Sequence, residues 1–287
     1  MGLLHTIGLV LHPQRDSALV VDTIMEWARH RNVKVVGLPE EVGRMACGAS
    51  AVDAGELVER ATLLVSLGGD GTMLRSLRMT AETATPVLGV NLGRLGFLAE
   101  IDVDEVPAAL TAIDAYRYSV EPRMAVRTEL PAGEMVMAFN DIALVREPGH
   151  GSAAVAISMQ GHPFVRYAAD AVIVATPTGS TAYSFSAGGP IVSPAVEAII
   201  IVAAAAHSTF NHALMLSADE EVSLEVLPAS GRVAVEVDGL VAGYLSAGDG
   251  LTITAVPAAA HLVRLGRTTF YQRARRKLQV TGSLEVE

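Results

Sequence analysis

Apolar residues fall along this chain in two different rhythms. Up to about Tyr118, short apolar runs alternate with segments in which apolar residues recur every three or four positions. TIGLVLH (6–12) reads as a strand, and ALVVDTIMEWARH (18–30) as a helix with Trp27 on its apolar face. VKVVGL, ATLLVSL and PVLGVNL predict three more strands, with helices over TMLRSLRMTAE and DEVPAALTAID. Short buried strands separated by helices predict a parallel, helix-covered sheet, and so an α/β domain over residues 1–118.

Beyond that point helical spacing nearly vanishes. AVRTEL, MVMAFNDIALV, AAVAISMQ, HPFVRYA, AVIVAT, EVSLEVL, RVAVEVDG and LTITAV follow one another, separated by turn residues. They predict a β-rich, sandwich-like domain over residues 119–265. MVMAFNDIALV reads as one strand, which puts Asn140 and Asp141 inside it. TTFYQRARRKL then returns to helical spacing, giving a basic C-terminal helix or tail over 266–287. Its cluster of Arg273, Arg275, Arg276 and Lys277 suits a solvated face, or an anchor that packs the tail back on the N-terminal domain.

Composition narrows the function classes. Hydrophobic residues make up 51% of the 287 positions, and mean hydropathy is +0.39. The most apolar run, AIIIVAAAA (198–206), stops at His207 and is too short to cross a bilayer, so it reads as a buried strand and no membrane partner is expected. A net charge of −10 argues against a general nucleic-acid binder. The single cysteine, Cys47, excludes an internal disulfide framework and a cysteine-based zinc site, and a reducing, cytoplasmic setting is expected. The opening MGLLHTIGLVLHP has no basic n-region or small-residue cleavage site, so no secretory signal is expected. Met1, Gly2 and Thr6 match a loose myristoylation pattern, but a first strand explains the same residues. Lys34 and Lys277 are the only lysines, and no glycine precedes either, so the chain has no Walker A loop.

The strongest local signal is GGDGT, directly after ATLLVSL and at the start of a helix. In an open α/β sheet this is the ligand-bearing edge. Gly68, Gly69 and Gly71 allow a tight turn and close approach of backbone to an oxyanion, and the helix N-terminus with Thr72 offers free N–H groups. An ordinary strand-to-helix turn needs only one such glycine. Asp70 would repel a bare phosphate, but it suits a substrate hydroxyl or a metal ion. An ionised carboxylate can accept the proton of an alcohol as that alcohol attacks phosphorus. The loop therefore points to a kinase acting on an alcohol.

Three further segments share this chemistry. VNLGRLGFL (90–98) follows the next strand, with Gly93 and Gly96 flanking Arg94, and Phe97 offering a flat face. DAVIVATPTGSTAYSFSAGGPIV (170–192) runs from a buried strand into a turn dense in hydroxyls, suited to a polar, ring-bearing ligand. Asn140 and Asp141 suit a ribose diol or, more simply, a solvent-facing edge.

Taken in order, GGDGT, NLGRLGFL, AFNDIAL, TPTGSTAYSFSAGGPIV and VDG (237–239) resemble the bacterial NAD kinase family, from about residue 62 onward. The resemblance implies phosphoryl transfer from ATP or polyphosphate, with a divalent metal such as Mg2+, to the 2′-hydroxyl of the adenosine ribose of NAD. It makes Asp70 the catalytic residue and assigns Gly71, Arg75, Phe97, Asn140, Asp141, Asp170, Thr181, Ala182, Tyr183 and Ser186 to NAD. Gly68, Gly69 and Thr72 go to donor phosphate, and no residue is assigned to metal. Small-molecule nucleotides would be the partners of a homodimer or homotetramer. The chain departs from the family pattern at Asp141, where glutamate is usual, at Ala171 in place of glycine, and at His212–Ala213 in place of Arg–Pro. Alanines also stand at 203 and 206, where prolines are frequent. These departures keep two alternatives open: an NAD(P)-binding relative with little turnover, and a kinase of another alcohol that shares only the first loop.

Overall fold

The computed structural model describes residues 2–45, 47–93 and 96–280; Met1 and Arg94, named above, lie outside the described residues. The chain divides into two compact units, one of Met1–Pro122 with Ala260–Glu287 and one of Arg123–Ala259.

In the first unit, β1 (Thr6–Leu11), α1 (Ala18–Arg31), β2 (Lys34–Gly37), α2 (Pro39–Met45), β3 (Ser50–Ala51), α3 (Ala54–Arg60), β4 (Leu63–Gly68), α4 (Asp70–Met79) and β5 (Pro86–Asn91) alternate as a wound sheet requires. β6 (Ile101–Asp102) and α5 (Val106–Asp114) follow. The strands run parallel in the order β3-β2-β1-β4-β5. β1 and β4 are wholly buried, as expected when helices cover both faces. α1 buries Val20, Val21, Ile24, Trp27 and Ala28 and stops at Asn32, whose backbone is left-handed. Trp27 is a core residue, and its indole N–H donates to Thr111 on α5 at 2.9 Å. The chain reverses direction across the sheet between β1 and β4. The carboxyl edge of those two strands is therefore the switch point at which wound sheets bind ligands.

Sequence periodicity missed α2, β3, α3 and β6. The two helices have seven residues each and bury one side chain apiece, Glu41 and Leu57, so they leave no apolar stripe to read.

The second unit is antiparallel. It takes in most of β7 (Ser119–Glu129), then β8 (Met135–Ala138), β9 (Asp141–Arg146), β10 (Ala153–Met159), β11 (His162–Ala169) and β12 (Ala171–Ala175). After a short helix α6 (Tyr183–Ser186) come β13 (Ala198–Ala204), β14 (Leu214–Ser217), β15 (Val222–Val226), β16 (Val233–Val237) and β17 (Leu240–Leu245). β18 (Gly250–Arg264) begins in this unit, and its end belongs to the first. One sheet runs β14-β13-β12-β9-β16-β17, and a second sequence of neighbours runs β11-β10-β15-β18. Residues of both fill one core, among them Ile142, Val172, Ile199 and Val235 from the first and Val155, Ile157, Leu224 and Ile253 from the second. This is the sandwich the alternating strands predict. The other face of the six-stranded sheet packs Ile173, Ile200 and Val202 with Val192 and Tyr183.

The run MVMAFNDIALV is two strands, not one. The ladder breaks at Phe139 and Asn140, and Asp141 opens β9. The Asp238 carboxylate accepts both freed N–H groups, Phe139 at 3.3 Å and Asn140 at 2.7 Å, which replaces the lost ladder bonds. Among the described residues no helix is long and apolar enough to cross a membrane.

α7 (Phe270–Lys277) opens on a capping box between Thr269 and Gln272 and packs within the first unit. Arg273 on α7 donates to Glu100 at 2.6 Å and to the Ala99 carbonyl at 2.7 Å, and Arg264 donates to the same Glu100 oxygen at 2.9 Å. The Glu100 side chain is 1% exposed and that of Arg273 4%. Arg273→Met strips one cation from a buried carboxylate that keeps Arg264. We expect a loss of about 3 kcal/mol, read as a fall in the urea midpoint; an unchanged midpoint would show that Arg264 alone compensates Glu100.

Candidate active site

The sequence-derived residues form two groups, one in each unit. In the first, β4 ends at Gly68, and Gly69 is the N-cap of α4, so Asp70 is its first residue. Thr72 is buried one turn in. The Asp70 carboxylate receives the Leu98 N–H on Oδ1 and the Phe97 N–H on Oδ2, both at 3.1 Å. Lys277 of α7 donates to Oδ2 at 2.8 Å, and its ammonium lies 4.5 Å from the centre of the Phe97 ring. A Cβ on Gly96 would collide with the Asp70 carboxylate, so that position must be glycine for the loop to close on the acid. The two glycine-bearing loops thus meet through Asp70.

Arg75 is committed within the same unit. It donates to Glu41 at 2.5 Å and to the Leu11 carbonyl at 2.6 Å, while Glu41 accepts the Leu11 N–H at 2.7 Å. Gly71 is exposed on the first turn of α4.

The loop after β1 went unnoticed in the sequence. His12 bonds to the Leu67 carbonyl through its backbone at 2.9 Å, which seats the loop against the end of β4. Its Nδ1 accepts the N–H groups of Gln14 and Arg15 at 3.1 Å, and Arg44 donates to its carbonyl at 2.8 Å. Burial, then the charges of Arg15, Arg44 and Arg75, push the His12 pKa down, so the ring favours its neutral form. Position after the first strand was the signal available for finding this cationic cluster.

In the second unit, Asn140 and Asp141 lie beside the threonine-rich turn. The Asn140 carbonyl accepts the Thr176 N–H at 2.8 Å, and Thr176 Oγ1 donates to the Phe139 carbonyl at 2.5 Å. A Cβ on Gly179 would land on the Asn140 backbone, so glycine is required for this approach. Gly179–Thr181 form a single 3-10 turn that leads through Ala182 into α6, with Tyr183, Ala182 and Thr181 half-buried and Ser186 exposed.

Asp170 is not beside Asn140. β12 pairs Ala171 with Val145 and Ala175 with Asp141, so Asp170 and Asp141 stand at opposite ends of that strand. Asp170 instead accepts from Arg146 at 2.5 Å. Tyr183 is influenced by both acids: its pKa is raised by burial, then by Glu236, Asp141 and Asp170.

The departures from the family pattern take ordinary places. Ala171 is buried in β12 and Ala203 in β13, while His212 stacks edge-on against Phe210 at 6.0 Å. Among the described residues, no three His, Cys, Asp or Glu side chains cluster as a metal site.

Asp141 is buried at 3% exposure. Burial, then the charges of Asp238 and Glu236, push its carboxyl up to about 7, against the opposing pull of a backbone hydrogen bond from Tyr183. The folded value lies above the unfolded 3.8, so folding favours the protonated acid. That contribution is complete below about pH 4 and is lost as pH rises through about 7. Asp141→Asn lacks this titration. The fall in Tm from about pH 5 to about pH 8 should be smaller in the variant than in the wild type; equal falls would exclude Asp141 as the titrating group.

Comparison with known proteins agrees over nearly the whole chain. The family model for the ATP-NAD kinase N-terminal domain matches residues 51–118, and that for the C-terminal domain matches residues 139–265. NAD kinase 1 of Streptomyces coelicolor is 35% identical over 96% of this chain and 86% of its own. The NAD kinase of Desulforamulus reducens is also 35% identical, over 96% of this chain and 98% of its own. Yeast NADH kinase, in a crystal structure complexed with NADH, superposes with a TM-score of 0.87 at 26% identity, over 99% of this chain and 90% of that one. An NAD kinase from Archaeoglobus fulgidus in complex with ATP gives 0.75 at 25% identity, over 96% and 100%. With both domain models in order and identity sustained over nearly its full length, this chain belongs to the NAD kinase family.

Proposed function

We infer that the protein is an NAD kinase, transferring a phosphoryl group to the 2′-hydroxyl of the adenosine ribose of NAD and so making NADP. The observation that carries this reading is Asp70, a carboxylate fixed by two backbone N–H groups at the start of α4, on the ligand-bearing edge of a parallel sheet. Its chemistry follows from that position. The ribose oxygen attacks the terminal phosphorus of the donor, its proton passes to Asp70, and the bond to the departing nucleotide breaks.

ATP is the donor in this reading, with polyphosphate as an alternative. The glycine loop at Gly68 and Gly69 and the first turn of α4, in which the Thr72 N–H is already bonded to the Gly69 carbonyl, are assigned with Arg15 of the β1 loop to its phosphates. Asn140, Asp141, Thr181, Ala182, Tyr183 and Ser186 are assigned to NAD, together with Gly71, Arg75, Phe97 and Asp170. A magnesium ion held mainly by donor phosphates and water needs few protein ligands. The ion would offset phosphate charge, and no side chain is assigned to it, since the one open acceptor position of Asp70 is reserved for the hydroxyl proton. A cytoplasmic location and a homodimer or homotetramer complete the proposal.

The test is an endpoint assay with NAD, ATP and magnesium, in which NADP is read by an NADP-specific dehydrogenase. Asp70→Asn should lower turnover by roughly 10²–10⁴-fold while NAD binding persists. Near-normal turnover in that variant would remove Asp70 from the role. A folded wild type that binds NAD and forms no NADP would favour a dinucleotide-binding protein without turnover.

A further inference from the structure

We propose that Lys277, near the far end of the chain, is a positioning residue for phosphoryl transfer. It fixes the Asp70 carboxylate so that Oδ1 is the atom that receives the hydroxyl proton. The inference rests on the reading of Asp70 given above and names the geometry that reading needs.

A carboxylate offers about four acceptor positions, two on each oxygen. In Asp70, Oδ2 takes the Phe97 N–H at 3.1 Å and the Lys277 ammonium at 2.8 Å, which fills it. Oδ1 takes only the Leu98 N–H at 3.1 Å. Among the described residues, one acceptor position remains, and it is on Oδ1.

Lys277 is not a loose surface lysine. Its helix is held by Arg273, which reaches Glu100 and the carbonyls of Phe97 and Ala99. Those three residues belong to the segment whose N–H groups hold Asp70. The rings of Phe97 and Phe270 add a contact at 6.4 Å between centroids. Loop and helix therefore present their donors to Asp70 as one piece. Lys277 also rests on the Phe97 ring, where a compact ammonium fits between carboxylate and aromatic face. In a chain with only two lysines, one of them occupies this position.

Lys277→Met keeps the apolar stem on Phe97 and removes the charge. We expect kcat to fall about 10- to 100-fold with KM for NAD and ATP within about threefold, because the acid is misaligned and not lost. Lys277→Arg should recover part of kcat. Arg275→Ala, on an exposed face of the same helix, should leave kcat and Tm unchanged. In an Asp70→Asn background, Lys277→Met should cost nothing further, since it acts through Asp70. The proposal is overturned by a kcat within about twofold of wild type in Lys277→Met, by a rise in KM alone, or by an undiminished further loss in the double variant. It is equally overturned if Lys277→Arg restores nothing. Activity retained by Asp70→Asn would instead overturn the role of Asp70. Loss in Asp70→Asn with a normal Lys277→Met would leave that role standing and remove only Lys277.

Discussion

A carboxylate that must accept a proton from a substrate has to be ionised and held still before the substrate arrives. Under the proposed function that constraint falls on Asp70, whose carboxylate is held by two backbone N–H groups and an ammonium. Besides Lys277, its partners are two backbone N–H groups from the segment after β5, and a backbone donor can be placed accurately only if its own peptide is held. The next anchor is Glu100, whose oxygens tie the segment to Arg264, to the Leu265 N–H and to Arg273. Because Glu100 is buried, each of these bonds is made in a poorly solvated setting, where an unpaired charge is costly. Placement of Asp70 therefore depends on a helix more than two hundred residues further along the chain. β18 supplies the connection: it begins in the second unit, aligns His261 and Leu262 with β5, and leads into α7.

The second unit treats its acid in the opposite way. Asp70 is surrounded by donors, whereas Asp141 is buried near Asp238 and Glu236 and is driven toward its neutral form. Asp238 is itself a structural device. With Gly239 it occupies positive φ in the turn from β16 to β17, as hairpin turns of the Asp-Gly type require. Its side chain then holds the break at Phe139 and Asn140 open. The turn after β12 can approach that break only because residue 179 has no side chain. Environment alone gives the same functional group two settings: the Asp70 carboxylate is held by donors, while the Asp141 carboxyl tends to keep its proton.

These properties differ in how far they could be read from the residues. Parallel strands and the sandwich were legible because their apolar positions repeat at the period of the element, as in α1 and in β9 to β12. GGDGT was legible because glycines around an acid, after a buried strand, have few other uses. What escaped notice depends on contacts between distant residues. Nothing local marks Lys277 as the partner of Asp70, and the basic run of α7 reads equally well as a solvated face. α2 entered unseen because its one buried residue is Glu41, a charged side chain that serves Arg75 and the backbone of β1. The break at Asn140 was hidden inside an apolar run, since its cause, Asp238, lies nearly a hundred positions away. The resemblance assigns both Asp170 and Asp141 to NAD, and only strand register reveals that they stand at opposite ends of β12.

Net charge poses a last physical question, because a chain at −10 must attract substrates that are themselves anionic. Local arrangement answers it. At the switch point, Arg15, Arg44 and Arg75 surround His12 closely enough to push its pKa down, while Glu41, the acid beside them, is already bound to Arg75 and the Leu11 N–H. At Asp70 the one negative charge of the glycine loop is met by an ammonium and two N–H groups. Exposed acids elsewhere act through water and salt, which screen them beyond about 10 Å. A phosphate bound at this edge, as proposed above, would therefore meet chiefly the arginines and amide groups within reach, and the overall sign of the protein would have little influence there.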